Sequence, residues 1–321
     1  LAAGRDFRRT GWEGHAWCAA DRGKVDAMQA LAQSSPMRTV YLNGHYIPET
    51  EAKVSVFDRG FLFADAVYEV VSVIDGKLID FEGHVARLHR SMAELRMPWP
   101  PGREELLTMC RELVARNALN EGMIYFEATR GNPGDRDFLF PSADLPPTIV
   151  GFTQSASLVN RPQVESGVSV VTLPDRRWQM AHVKTTQLLY ASLMKAEAKA
   201  RGADDAWLVR DGFITEGTSQ NAHIVTKQGK LITHPLDNNI LHGITQSAVL
   251  ELARQGVVEV ETRSFTAEEA KDAAEAMVTA ASAFVLPVTR IDGVQLGDGR
   301  CGPITRKLRE TYIEFARNSA I

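Results

Sequence analysis

The sequence predicts a two-domain α+β fold of mixed type. Strand-turn-strand signals open the chain, and amphipathic helices follow without the regular alternation of a doubly wound sheet or an eightfold barrel. A polar, proline-containing stretch at 156–162 then divides the chain unequally. A smaller N-terminal α/β domain is expected at 37–155, and a larger C-terminal domain with mostly antiparallel sheet at 163–321.

The elements follow in order from local chemistry. From Thr39 a strand runs into Asn43-Gly44 and returns, which is the strongest short hairpin signal. A second hairpin joins VYEVVSVI (67–74) to KLIDF (77–81) through Asp75-Gly76. Val85, Leu88, Met92 and Leu95 then recur at helical spacing, as do Leu106, Cys110, Leu113 and Val114 in a second helix. Strands around Met123 and Thr148 complete the first half. The second half opens with VSVVTLP at Val168, followed by a helix expected from Thr185 to about Lys199. Short strands at AWLV, FITE, AHIV and KLITH come next. Helices are expected from about Ile244, Thr266 and Pro303, and strands near Val258 and from Ala276 to Ile291. Residues 1–36 show no sustained period and are expected to be a non-native or disordered extension outside the functional fold; they carry neither the apolar centre of a secretory signal nor the acid-poor composition of an import peptide.

Composition removes several classes of function. The 321 residues are 44% hydrophobic and 24% charged, enough to bury a sizeable core. A net charge of -4 with no basic stripe argues against nucleic acid. No run approaches the ~18 consecutive apolar residues of a membrane helix. The 3 cysteines, Cys18, Cys110 and Cys301, form no C-x-x-C pair, so a reducing cytoplasm is expected and no metal site is inferred. There is no P-loop, no G-x-S-x-G and no G-x-G-x-x-G.

Three stretches could carry chemistry. In HVKTTQLLYASLMKAEAKA, Lys184 lies between a strand-like segment and a helix, where partial desolvation would free its amine as nucleophile or base. In ITEGTSQNAHIV, Glu216 sits between a strand and a turn; a buried carboxylate there needs a partner, such as a protonated pyridine nitrogen. In ILHGITQSAVLELA, Gly243 allows close backbone approach, and the amides of Ile244 and Thr245 open a helix start suited to an anion. Arg87 in HVARLHR could add a bidentate guanidinium. Taken singly, each has a bland reading: a solvated lysine, a turn carboxylate facing water, a helix cap, a solvated arginine. His84, three residues before Arg87, reads as a structural histidine.

Taken together and in this order, FDRGFLFADAVYEVV, HVARLHR, IYFEATRG, VKTTQLL, ITEGTSQN and LHGITQ resemble the branched-chain and D-amino acid aminotransferase family of fold type IV, from Met37 almost to the end of the chain. VYEVV, VKTTQLL and TEGTSQN are most similar to the D-amino acid (D-alanine) branch of that family. The resemblance implies pyridoxal 5'-phosphate as cofactor, bound to Lys184 as a Schiff base. Glu216 would pair with the ring nitrogen, Leu241 would back the ring, and Arg87 with Gly243, Ile244 and Thr245 would hold the phosphate. Arg177 and Tyr125 match positions close to the cofactor, Tyr68 and Val70 match the substrate side, and Arg59 belongs to a structural D-R-G turn. Arg136 matches a carboxylate trap that the family presents to the neighbouring active site of a homodimer. Two departures stand out: Phe138 replaces the histidine that follows this arginine in the D-alanine type, and Ala280 and Ala281 replace hydroxyl side chains near the phosphate.

The implied reaction is ping-pong transamination of D-alanine, D-glutamate or D-aspartate with 2-oxo acids, Lys184 acting as base and acid. Alternatives within the fold are an (R)-selective amine transaminase, favoured by Phe138, a branched-chain L-amino acid aminotransferase and an aminodeoxychorismate lyase. Outside enzyme function, the loss of hydroxyls at Ala280 and Ala281 suggests a low-turnover cofactor-binding protein.

Overall fold

The computed structural model describes residues 37–98 and 100–321, so the expectation for 1–36 falls outside the described residues. Two sheets build the fold. The first contains β1 (Thr39–Leu42), β2 (His45–Pro48), β3 (Ala66–Ile74), β4 (Lys77–Leu78), β5 (Gly122–Thr129) and β6 (Ile149–Ser155), in the order β2-β1-β6-β5-β3-β4. Every pairing in it is antiparallel. Asn43 and Gly44 both take positive φ, 48° and 90°, which lets the two-residue loop turn with the strand twist and pairs Leu42 with His45.

Helices Phe81–Glu94 and Arg103–Arg116 provide the first core. Val67, Val71 and Val73 of β3 pack with Val85, Leu88 and Met92 from one helix and Leu106, Cys110 and Leu113 from the other. These are the positions that recur at helical spacing in the sequence. Burying each large aliphatic is worth about 1.5–3 kcal/mol. The second hairpin is shorter than expected: β4 ends at Leu78, Asp80 turns through φ 53°, and Phe81 opens the helix. Phe81 is buried in the helix-facing core rather than in a strand.

The second sheet contains β7 (Val168–Pro174), β8 (Asp205–Arg210), β9 (Phe213–Gly217), β10 (Asn221–Val225), β11 (Leu231–Thr233), β12 (Val260–Thr262), β13 (Glu275–Ala280), β14 (Phe284–Ile291) and β15 (Val294–Gln295). Its order is β12-β11-β10-β13-β14-β7-β8-β9, with β15 on the edge of β14. Three pairings are parallel, β11 with β12, β14 with β7 and β7 with β8; the others are antiparallel. The molecule is thus a two-domain α+β fold with mixed and antiparallel sheets. No helix among the described residues is long and apolar enough to cross a membrane.

The stretch at 156–162 is bonded on both sides. Leu158 is fully buried, its amide and that of Val159 donate to Glu121 Oε1 at 2.5 and 2.7 Å, and both carbonyls accept from Arg309 Nη2 at 2.6 and 2.9 Å. Arg309, from the C-terminal helix Pro303–Ser319, also donates to the carbonyls of Ala283 and Val285. The helix start is capped by Glu275 of β13, whose oxygens accept from the amides of Ile304 and Thr305 at 3.0 and 2.8 Å.

Candidate active site

A cavity of ≈ 790 Å³ opens between the two sheets. It is lined by Tyr68, Val70, Arg87, Arg177, Lys184, Glu216, Leu241, Gly243, Ile244, Thr245, Ala280 and Ala281, which come from segments far apart in the chain.

Lys184 reaches the cavity from an extended segment, not from a helix start. Tyr68 N donates to the Lys184 carbonyl at 3.0 Å, Thr186 N donates to the Ala66 carbonyl at 3.1 Å, and Thr185 forms an antiparallel bridge with Val67. The helix expected from Thr185 therefore begins only at Leu189, because the edge of β3 captures the backbone of 184–186. Lys184 N also donates to Ser91 Oγ at 3.3 Å, and Nζ lies 4.0 Å from the centre of the Tyr68 ring. With its backbone tied to β3 and to the helix of Ser91, the amine has few positions to sample.

Strand alternation sorts β3 into two sets. Tyr68 and Val70 line the cavity, while Glu69 between them is fully buried towards helix Phe81–Glu94. There Glu69 accepts from Arg87 Nε and Nη2 at 2.8 and 2.7 Å and contacts His84 Nδ1 at 2.7 Å. Burial pushes the Glu69 carboxyl up, but Arg87 and His84 outweigh it and hold the group at about 2. Arg87 Nη1 donates to the His242 carbonyl at 3.0 Å. Three of the five guanidinium N–H groups are thereby used, leaving two for an anion in the cavity.

Beside Arg87 lies the start of helix Ile244–Leu252, with Gly243 as its N-cap. A Cβ on Gly243 would sit 2.0 Å from Asn221 Oδ1, so only glycine lets the helix start press against β10. The first-turn amides at Ile244 and Thr245 and the helix dipole favour an anion here. Ala280 and Ala281 close this end and contribute no hydroxyl.

Glu216 is nearly fully buried on β9 and its carboxylate is surrounded by donors. Arg177 Nη1 donates to Oε1 at 2.5 Å, Asn221 Nδ2 to Oε2 at 3.0 Å, and the Leu241 amide to both oxygens at 3.1 Å. Burial raises the Glu216 carboxyl above its ordinary range despite Arg177. The cavity thus brings together an amine, a buried carboxylate and an anion-binding end.

Three expected site residues lie outside this chain's own cavity, two of them, Arg136 and Phe138, on the loop expected to serve a neighbouring site. Tyr125 is sandwiched between Tyr68 and Phe152, with ring centres 5.3 and 4.8 Å away, and its hydroxyl donates to Glu127. Arg136 lies over the rings of Phe63 and Phe138 at 5.1 and 4.9 Å, and Phe138 is 75% exposed. Neither Arg136 nor Phe138 lines the cavity of its own chain. Their loop is gripped by Arg59, which donates to the carbonyls of Asp137 and Leu139 at 2.6 and 3.2 Å and pairs with Asp65.

Sequence reasoning missed Glu69, Asn221 and Asp175, which orient Arg87, Glu216 and Arg177 respectively. A signal existed for Glu69, a carboxylate in the otherwise apolar run AVYEVV.

A family model described as amino-transferase class IV matches residues 66–291. The chain belongs to the class IV aminotransferases. This class IV aminotransferase is 37% identical over 287 residues to the D-alanine aminotransferase of Staphylococcus aureus, across 89% of this chain and 100% of that one. It is 37% identical over 281 residues to the D-alanine aminotransferase of Staphylococcus haemolyticus, across 87% and 98%. Among solved structures, the branched-chain aminotransferase of the thermophilic archaeon Thermoproteus uzoniensis with norvaline shares its fold at a TM-score of 0.79 and 28% identity, over 88% of this chain and 96% of that chain. The class IV aminotransferase segment contains all the cavity residues named above.

Proposed function

We propose that this class IV aminotransferase is a pyridoxal 5'-phosphate-dependent D-amino-acid transaminase that works as a homodimer. The observation that carries the cofactor reading is the convergence of the Lys184 amine, the Glu216 carboxylate and the Arg87–Gly243 end on one cavity. These residues fit the cofactor by their chemistry. Lys184 would hold its aldehyde carbon, Glu216 the proton of its ring nitrogen, and Arg87 with the Ile244 and Thr245 amides its phosphate. The substrate reading is supported by relatives named D-alanine aminotransferase that align along their full length.

When bound, the cofactor supplies an electrophilic carbon and a ring that accepts the electrons left as the donor loses its α-hydrogen. The chain's own residues do the rest. Once the donor's amine has displaced it, the freed Nζ of Lys184, held beside β3, would take the α-proton and later give it up again, so one tethered amine would serve as base and acid. Arg177, Asn221 and the Leu241 amide keep Glu216 in one orientation, which spares reorganisation when charge develops at the ring. Tyr68 and Val70 line the cavity on β3, with the Tyr68 ring beside the Lys184 amine, where donor side chains would lie.

The dimer reading is supported by apolar side chains left on the surface around the Arg136 loop. Phe61, Phe138, Leu139 and Phe140 are 74%, 75%, 77% and 57% exposed, a concentration that suits a buried interface. A second copy would cover them and bring its Arg136 to the cavity as a carboxylate partner. Phe138 beside that arginine favours a second reading, transamination of apolar (R)-amines lacking a carboxylate.

Keto-acid release from D-alanine, with 2-oxoglutarate as acceptor, tests the assignment against L-leucine and an (R)-arylalkyl amine. Stoichiometric pyruvate from D-alanine is expected, and Arg136→Ala should raise KM for D-alanine while leaving the amine unaffected. Turnover of L-leucine alone would refute the substrate class.

A further inference from the structure

Behind Glu216 the charges continue outward in alternation, through Arg177, which lines the cavity, to Asp175 and Arg210, which do not. Arg177 Nη1 donates to Glu216, while its Nε and Nη2 donate to Asp175 Oδ1 and Oδ2 at 3.0 and 2.8 Å. Asp175 in turn accepts from Thr215 Oγ1 at 2.9 Å and pairs with Arg210 Nη2 at 3.1 Å. Arg210 also donates to the Arg177 carbonyl at 3.0 Å and to Asn239 Oδ1 at 2.9 Å. The topology sets this up: parallel pairing of β7 with β8 aligns Pro174 with Val209, which leaves Asp175 and Arg210 side by side at the strand ends.

We propose that Asp175 and Arg210 are positioning residues for the transamination, fixing the Arg177 guanidinium on Glu216 and balancing its charge so that Glu216 meets the cofactor nitrogen as a carboxylate of set basicity. The inference rests on the cofactor reading above and adds two residues to it. Two contacts from Asp175 occupy one edge of the Arg177 fork, so the remaining Nη1 has one direction available, towards Glu216. The chain Arg210, Asp175, Arg177, Glu216 sums to zero charge. Removing the second member leaves an excess positive charge and removing the first an excess negative one. The Asp175 side chain is fully buried and those of Arg177 and Arg210 are only 15% and 16% exposed, so water screens such an excess weakly. The other charged groups lining the same cavity are Arg87, Arg176 and Lys184, with His84 the titratable neighbour of Arg87, and none of them is altered in the two variants; Asn221 and the Leu241 amide, which also touch Glu216, are neutral.

The two positions therefore differ in sign. With Asp175→Asn the field at Glu216 becomes more positive, which favours deprotonated forms. With Arg210→Gln it becomes more negative, which favours protonated ones. Simple loosening would instead hydrate Glu216 in both variants and move both downward, since burial is what raises this carboxyl.

The test is a pH titration read in two ways on the full chain. In cofactor-free protein the Glu216 carboxyl is followed by carbon NMR, assigned through Glu216→Gln; in protein loaded with pyridoxal 5'-phosphate the midpoint of the visible band is followed. Asp175→Asn should lower both midpoints, Arg210→Gln should raise both, and Arg210→Lys should restore the wild-type values. If Asp175→Asn does not fold, Arg210→Gln against Arg210→Lys still decides. A downward or absent shift in Arg210→Gln overturns the proposal. Failure to bind the cofactor would instead overturn the functional reading, and the cofactor-free titration would still report on Asp175 and Arg210.

Discussion

Glu69 decides what Arg87 can offer an anion. It is fully buried, and its two oxygens take up Nε and Nη2 of the guanidinium, which with the His242 carbonyl on Nη1 leaves two N–H groups for an anion. Removing one partner of a buried pair leaves the other uncompensated, at a cost of about 3–5 kcal/mol. Glu69→Gln should therefore melt earlier in urea at pH 7. Because the folded carboxyl is held at about 2, below its ordinary value of 4.5, its stabilisation is present above the ordinary value and is lost as pH falls towards 2. The difference between wild type and Glu69→Gln should thus shrink when the urea melts are repeated at pH 3; an unchanged difference would show that the pair is not the source. The sequence shows that a carboxylate stands in an apolar strand, and hence that it needs a partner. It does not show which of several arginines supplies it, because that depends on how helix Phe81–Glu94 lies across β3.

At the scale of elements, the site depends on two close approaches, the 184–186 segment against β3 and the Gly243 helix start against β10. Gly243→Ala would push Asn221 off Glu216 and shift the helix start. Losing a hydrogen bond to a charged group costs about 1.5–3 kcal/mol, so dialysis against pyridoxal 5'-phosphate should show roughly ten- to hundredfold weaker retention. Retention equal to wild type would remove Gly243 from the anion end. The hairpins and core helices were legible because their signals are local: Asn43-Gly44 turns by itself, and Val85, Leu88 and Met92 share a face by spacing alone. The start of the helix after Lys184 was not, since Thr185 and Thr186 are held extended by Val67 and Ala66 from another part of the chain. Asp175 beside Arg210 was equally hidden, because it follows from the parallel register of β7 and β8.

Across the whole molecule, Arg309 ties the crossover between the sheets to the start of β14, through carbonyls of Leu158, Val159, Ala283 and Val285. The six motifs that signalled the family lie on both sides of that crossover, so the cavity forms only when the two sheets meet. Two such cavities should share residues across a two-fold interface. Lys184→Ala and Arg136→Ala proteins, each inactive at low D-alanine, should regain roughly a quarter of wild-type activity when mixed and allowed to exchange subunits, because half of the dimers would carry one intact site. No recovery would place Arg136 outside the partner's site.

The most direct measurement is to load the protein with pyridoxal 5'-phosphate, reduce it with borohydride and locate the phosphopyridoxyl group by peptide mass spectrometry. A single modified peptide carrying the group on Lys184, absent from Lys184→Ala, is the expected result. An adduct on another lysine, or none, would contradict the assignment of this cavity as the cofactor site.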